Sequence, residues 1–497
     1  MKPVYLKLSW GPDGVTAEGD HTYYHGNAIE QADGTRNGVY SEWSWDGDTL
    51  KVGTCRYGMS PLFYYCGDTE IFVSNSIPKL LELGAPNAWD DDAMAVFIRR
   101  QTFLGEDTPF KHIRATPPGA RLTWKDGHMT LEGKAFAPKP QHLKRSAMID
   151  GVIDLFAQAI ARRLPQTDEF YLPLTGGKDS RHILLELNRQ SALPKACVTA
   201  SFPPPLTNQD REIAAQLAAR VGVPHITLPP PPPGIADEQR KNIVTSFCTL
   251  DHGWTLPLTD FLADNAPVSY DGLGLDVFFN TIWYSDHRAR LYDEGAFEAL
   301  AIDLLRNSEE AFSKIFTRES FGRFSRERAI ARLVDELKLH PDRPHPVAAF
   351  QFWSRTRRTT STFTFGMQNA IPQVHTPFLD HSLFDFVSSL PKSALRESPM
   401  HIDVISTAYK DFDDIDYSVG GADQRVNKRY PRSFSQGLLR NSLRNFFQPS
   451  VLNRINTVPS LLKSYLSGNK IDLEWLNPHL LLCVYQIESF GSPQTTN

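Results

Sequence analysis

Tyr171-Leu-Pro-Leu-Thr-Gly-Gly-Lys-Asp-Ser180 is the stretch that decides the fold. A short apolar strand over Phe170–Leu174 runs into Thr175-Gly176-Gly177, and a helix follows over Ser180–Asn188. Two glycines let the backbone turn sharply and bring its N–H groups close to a ligand. The helix start just behind adds a positive dipole end, so the turn makes a nest for phosphate oxygens. Thr175 and Ser180 supply hydroxyl donors. Asp179 is an acid where an anion is expected, and a Mg²⁺ between the two would reconcile them. The same residues also read as an ordinary strand–turn–helix junction, since glycine pairs are common and an Asp is favoured near a helix start. A Walker A loop is excluded, because the spacing to a Lys-Ser/Thr is absent.

On either side the pattern supports a parallel α/β sheet. Met148–Arg163 has Ile149, Val152, Ile153, Phe156 and Ile160 at helical spacing. Ala196–Ser201 and His225–Leu228 read as further strands, with a helix over Gln209–Val221 between them. Pro229–Pro233 reads as a stiff polyproline spacer, and the chain beyond Lys241 as mainly helical. The first 130 or so residues are β-rich instead. Strand-like alternation appears at Tyr5–Trp10, Gly38–Trp45, Thr49–Thr54 and Glu70–Ser74, with a helix at Asp90–Arg99. Arg121–Trp124 and His128–Glu132 flank Lys125-Asp126-Gly127, a hairpin signal. Ala137–His142 reads as a linker.

The 497 residues are too many for one ordinary core. With 41% apolar and 22% charged residues the composition is that of a globular protein. A net charge of −5 gives no global electrostatic case for nucleic acid or an anionic membrane. Cys55, Cys66, Cys197, Cys248 and Cys483 are odd in number and contain no CxxC pair, which fits a reducing cytoplasm. No signal peptide and no span long enough for a bilayer is visible, so a cytoplasmic location is expected.

Thr-Gly-Gly-Lys-Asp-Ser resembles the Ser-Gly-Gly-x-Asp-Ser signature of the PP-loop ATP pyrophosphatases, and its wider context resembles the asparagine synthetase family. Gln209–His225 is similar to that family's acidic helix ending before Gly-x-x-His. Tyr270-Asp-Gly-Leu-Gly-Leu-Asp276 resembles its second glycine loop, and Thr376-Pro-Phe-Leu-Asp-His381 with Ser389-Leu-Pro391 a further hallmark. Arg56-Tyr-Gly-Met-Ser-Pro-Leu-Phe-Tyr-Tyr65, Thr108–Ile113 and Pro117-Pro-Gly119 extend the likeness into the first part of the chain. It spans roughly residues 35 to 395, in the family's order.

The resemblance implies an α/β protein in three parts. Residues 1–136 would form an Ntn-hydrolase-like αββα sandwich, a degenerate glutaminase-like domain. Residues 145–440 would form a PP-loop domain of the adenine nucleotide alpha hydrolase type, and 441–497 a helical extension. It implies ATP and Mg²⁺ as cofactors. Leu174, Thr175, Gly176, Gly177, Asp179, Ser180, Gly272 and Gly274 would cradle the nucleotide, and Asp179 and Asp276 would hold the metal. A catalytic Lys is expected after Leu390-Pro391, with Lys410 and Lys428 as candidates; either also reads as part of a solvated basic surface.

Three departures bear on function. The glutamine-hydrolysing members use an N-terminal cysteine, and Lys2 stands at position 2 here, so no Ntn nucleophile is visible. Val277 follows Asp276 where many members have Glu. Gln373 and His375 stand where asparagine synthetases tend to carry Glu and Arg, which speaks against simple aspartate recognition. The expected reaction is adenylation of a carboxylate followed by attack of ammonia or an amine. Partners are a small-molecule or peptide carboxylate and the amine, with no nucleic acid or membrane; a homodimer is left open. A macrolactam-forming cyclase and a catalytically silent nucleotide-binding regulator are the alternatives. Arg355, Arg357 and Arg358 read as a basic cluster, at least two of them on a solvated face. His182 reads as a packed or solvent-facing side chain, and Cys248, Asp251 and His252 fit no metal motif.

Overall fold

The computed structural model describes residues 3–202, 208–279, 284–305, 309–391, 399–418, 432–444, 446–467 and 477–491. Its first part contains two antiparallel five-stranded sheets. One is ordered Gly14–Gly19, Tyr5–Gly11, Glu70–Ser74, Phe63–Cys66, Ile113–Ala115, and the other His128–Glu132, Arg121–Lys125, Leu50–Thr54, Arg36–Trp45, Thr22–Glu30. Strand periodicity explains how they stack. Ile71 and Val73 face a core shared with Trp43, Val52 and Trp124 of the other sheet. Phe72 between them points the other way, into a core with Met94 and Phe97. Those residues lie on Asp91–Arg100, a helix capped by the Asp90 carboxylate. In the expected hairpin, Lys125 pairs with His128, and Asp126 and Gly127 take φ of 50° and 79°, the conformation a two-residue hairpin turn requires. The second sheet presents Val39 to the core of the following part of the chain.

The glycine loop belongs to a parallel sheet ordered His225–Leu228, Ala196–Ala200, Phe170–Pro173, Val268–Tyr270, Gln373–His375. Phe170–Pro173 is its central strand. Leu172 and Tyr270 share a core with the helices Arg145–Ala161 and Gln209–Val221, and Val198 one with the helix Leu256–Asn265, as a doubly covered parallel sheet demands. Both glycine stretches leave the same edge, at the C-terminal ends of adjacent strands, where open α/β sheets bind ligands.

The rest is mainly helical, and one expected boundary moves. A single helix runs over Arg432–Arg444, across the position 440/441 expected to divide two units. It packs against Arg454–Ser467 and Pro478–Gly491. Leu438, Leu461 and Leu481 share one core with Phe97 of the first part, so the C-terminal helices seal the molecule and do not extend from it. Among the described residues no helix is long and apolar enough to cross a membrane.

Candidate nucleotide site at the two glycine loops

The loop lies open at the end of its strand. Leu174 is fully buried, and its N–H donates to the Val198 carbonyl at 2.9 Å, so it anchors the loop to the sheet. Past it the chain folds onto its own hydroxyls. Thr175 N–H donates to Ser180 Oγ at 3.1 Å, and Gly177 N–H to Thr175 Oγ1 at 3.1 Å. Gly176 N–H donates to the Asp210 carboxylate at 3.0 Å. A carboxylate thus already rests on a loop amide, which shows that the turn accepts negative oxygen. The helix Asp179–Arg189 has no side-chain cap at Lys178, leaving first-turn N–H groups for an anion.

Gly272 explains how the second loop reaches the first. A Cβ added there would lie 2.5 Å from the Cβ of Asp179, far inside contact distance, so only glycine allows this approach. Gly274 is placed differently. Its φ is 146°, and a Cβ would meet Phe378 and Leu379 at about 3 Å, so it serves the packing of the second loop against Thr376–His381. Asp271 is committed within that loop, accepting from Leu273 N–H at 2.8 Å.

Three carboxylates converge here. Burial pushes Asp179 up to about 7, and the facing Asp276 and Asp271 carboxylates add to the rise while Lys178 opposes it. Burial also raises Asp276, against the pull of the Arg355 guanidinium, and burial raises Asp271. Acids held together against their charge are what a cation relieves. Among the described residues no three His, Cys, Asp or Glu side chains form a metal cage.

The two lysine candidates part company. Lys410 is exposed, in a short 3-10 turn whose neighbours Tyr409 and Phe412 pack on Leu185. Leu185 is midway along the loop helix, away from its N-terminus. Lys428 lies outside the described residues. The chain that leads towards it is nonetheless fixed at the loop. Ser418 N–H donates to Gly176 O at 2.9 Å, and Arg181 donates to the carbonyls of Ile415 and Asp416.

Several side chains depart from their expected settings. Arg357 and Arg358 are each 4% exposed, not solvated. Arg357 donates to Thr116 O at 2.7 Å and reaches Gly58 O, and Arg358 donates to Asp107 O at 2.9 Å. The reading failed because carbonyl partners some 250 residues away leave no mark beside an Arg run. Arg355 donates to Thr360 Oγ1 at 3.3 Å, and its charge acts on Asp276. The wide π-helical winding of Phe352–Thr360 carries all three, and such turns gather at functional sites. His375 is buried and bonds Asn27 Nδ2 at 2.8 Å, while Gln373 is exposed. His375 is thereby used to join the two parts of the chain. His182 is packed, as expected, stacked on Phe156 at 3.8 Å and bonded to His401. His401 itself gave no signal, being one isolated histidine 222 positions after Asp179.

The model of the asparagine synthase family matches residues 151–250, the segment that carries the loop, its helix and the Asp210 helix. Over this segment the chain is similar to the asparagine synthase family. No curated protein matches it. The asparagine synthase family comprises ATP-dependent ligases, and the matched segment contains the glycine loop and Asp179.

Proposed function

We propose that the protein is an ATP-dependent amide-forming ligase that adenylates a substrate carboxylate. The observation that carries this reading is the pairing of an uncapped glycine loop with Asp179 and Asp276. The hydroxyls of Thr175 and Ser180, and the amides of Thr175, Gly176 and Gly177 once they exchange their present acceptors for phosphate oxygens, would serve as donors to the β- and γ-phosphates. As phosphate enters, Asp210 gives up the Gly176 N–H. Asp179 and Asp276 would hold Mg²⁺, which when bound neutralises phosphate charge. A carboxylate oxygen of the substrate attacks the α-phosphorus and pyrophosphate departs, leaving an acyl-adenylate. The amine nitrogen then attacks the acyl carbon, AMP leaves with the bonding electron pair, and the amine loses a proton. No protein nucleophile is required.

The first part of the chain is read as an Ntn-type sandwich without glutaminase activity. Cys55 is buried and Cys66 lies at a strand end, and neither offers a chain-terminal thiol and amine. Ammonia or an amine is then taken from solution or from the substrate. With His375 joined to Asn27, an acid other than free aspartate is favoured. The deciding experiment is pyrophosphate release from Mg-ATP, with aspartate plus ammonium beside panels of carboxylates and peptides. Release that depends on one acid and vanishes in Asp179→Asn supports the reading. ATP binding without turnover across a broad panel would replace it with a regulatory one.

A further inference from the structure

Beneath Asp179 lies a pair of histidines that the adenylation chemistry does not use. His401, on the helix Met400–Ala408, and His182, on the first turn of the loop helix, are both fully buried. His182 Nδ1 and His401 Nε2 are 3.0 Å apart. Their surroundings are apolar: Phe156 stacks on His182 at 3.8 Å, and Phe279 on His401 at 4.7 Å. An uncompensated positive charge on either ring is disfavoured in this buried, aromatic setting, so each ring is taken as neutral. Two ring nitrogens lack a hydrogen-bond partner, His401 Nδ1 and His182 Nε2. The first is not pointed at nothing. It lies 3.5 Å from Asp179 Oδ1.

Proton counting fixes what this arrangement does. A carboxylate bound to a metal can only accept, so His401 Nδ1 must carry the hydrogen facing Asp179. A neutral ring has one N–H, so His401 Nε2 is then an acceptor, and His182 Nδ1 must donate to it. That leaves His182 Nε2 as a bare lone pair among aromatic rings, which matches its lack of a partner. One tautomer of each ring satisfies the whole chain, and the reverse assignment aims a lone pair at a carboxylate. A buried donor left without a partner is costly, and a small shift of Asp179 towards Nδ1 would satisfy it.

We propose that His401 is a positioning residue that holds the Asp179 carboxylate in one orientation by its Nδ1–H on Oδ1, and that His182 sets the tautomer of His401. The inference rests on the reading of Asp179 as a Mg²⁺ ligand. Partners that orient a ligating carboxylate change metal affinity by about 10–100-fold when removed.

The test uses the full-length protein with Mn²⁺ and ATP, reading bound Mn²⁺ by electron paramagnetic resonance and folding by near-ultraviolet circular dichroism. His401→Asn offers an N–H close to the Nδ1 position, whereas His401→Gln places its N–H near Nε2. His401→Leu offers none. Mn²⁺ affinity in the presence of ATP is expected to fall about 10-fold or more in the Leu and Gln variants and to return to within a few-fold of native in the Asn variant. His182→Phe is expected to lose a smaller part, because the His401 ring remains but its tautomer is no longer set. Equal affinity in native, Asn and Gln proteins would overturn the inference while leaving the metal site standing; should His401→Leu fail to fold, that Asn–Gln comparison still decides. Absence of ATP-dependent Mn²⁺ binding by the native protein would instead remove the metal reading itself.

Discussion

Replacing Asp179 by Asn is expected to stabilise the nucleotide-free protein while ending its response to Mg-ATP. Burial and the facing acids Asp276 and Asp271 push Asp179 up to about 7, with Lys178 pulling the other way and the neutral His401 ring beside it. In the unfolded chain an Asp titrates near 3.9. Between about pH 4 and pH 7 the folded state therefore holds a proton that the unfolded state has released, and stability falls as pH rises through that window. Above about pH 7 the folded protein carries the full cost of the ionised group. The side chain is 36% exposed, so solvent screening reduces that cost several-fold, to about 1 kcal/mol. Asn keeps the shape and removes the charge. The variant should therefore gain about 1 kcal/mol at pH 8, or roughly 1–2 °C in melting temperature for a chain of this size, and progressively less towards pH 5. Thermal unfolding followed by dye fluorescence from pH 5 to 8, with and without Mg-ATP, measures both effects. The reasoning is refuted if Asp179→Asn melts below native at pH 8, or if Mg-ATP stabilises it as much as native.

Gly272→Ala places a methyl 2.5 Å from the Asp179 Cβ; it should separate the two loops and weaken Mg-ATP binding at least 10-fold by isothermal titration, and native affinity would show that the loops need not touch. Asp210→Asn removes the charge that rests on the Gly176 N–H. It should lower competition for that amide, tightening pyrophosphate binding a few-fold in a fluorescence displacement assay, and no change would mean that Asp210 does not stand in for phosphate. Arg357→Ala strips donors from the Thr116 and Gly58 carbonyls and leaves Glu106 without its partner. A loss of about 3 kcal/mol is expected in urea unfolding, and a loss under about 1 kcal/mol would contradict the buried role given to it.

Much of the fold can be read in the sequence because it rests on local periodicity and turn chemistry. Phe170–Pro173 and Ala196–Ala200 are uniform apolar runs bounded by breakers, and Lys125-Asp126-Gly127 names its own turn. The strands that escaped have no period to show. Val268–Tyr270 and Gln373–His375 are three residues each, held in the sheet by their neighbours. Thr22–Glu30 is half-open along most of its length, so alternation is blurred. At the candidate site, the glycine loops and Asp179 stand out in the sequence because a strand, a glycine turn and a helix start form a local pattern, and Asp276 is singled out by the resemblance. His401 is not legible: its meaning depends on one nitrogen 3.5 Å from a carboxylate more than 200 positions earlier. The burial of Arg357 and Arg358 is hidden for the same reason, since backbone carbonyls look alike in every sequence.

Those two arginines also set a timetable for synthesis. Their carbonyl partners lie at Gly58, Gly105, Asp107 and Thr116, so the sheets that need them leave the ribosome about 240 residues ahead. At 5–20 residues per second that is a wait of roughly 10–50 s. The amino-terminal sheets must survive that interval with an unfinished face turned to solvent, a task that falls to their own shared core of Leu6, Trp43, Val73 and Trp124. Truncations ending before Arg357 would never leave that waiting state, and are the ones to watch for chaperone dependence during expression.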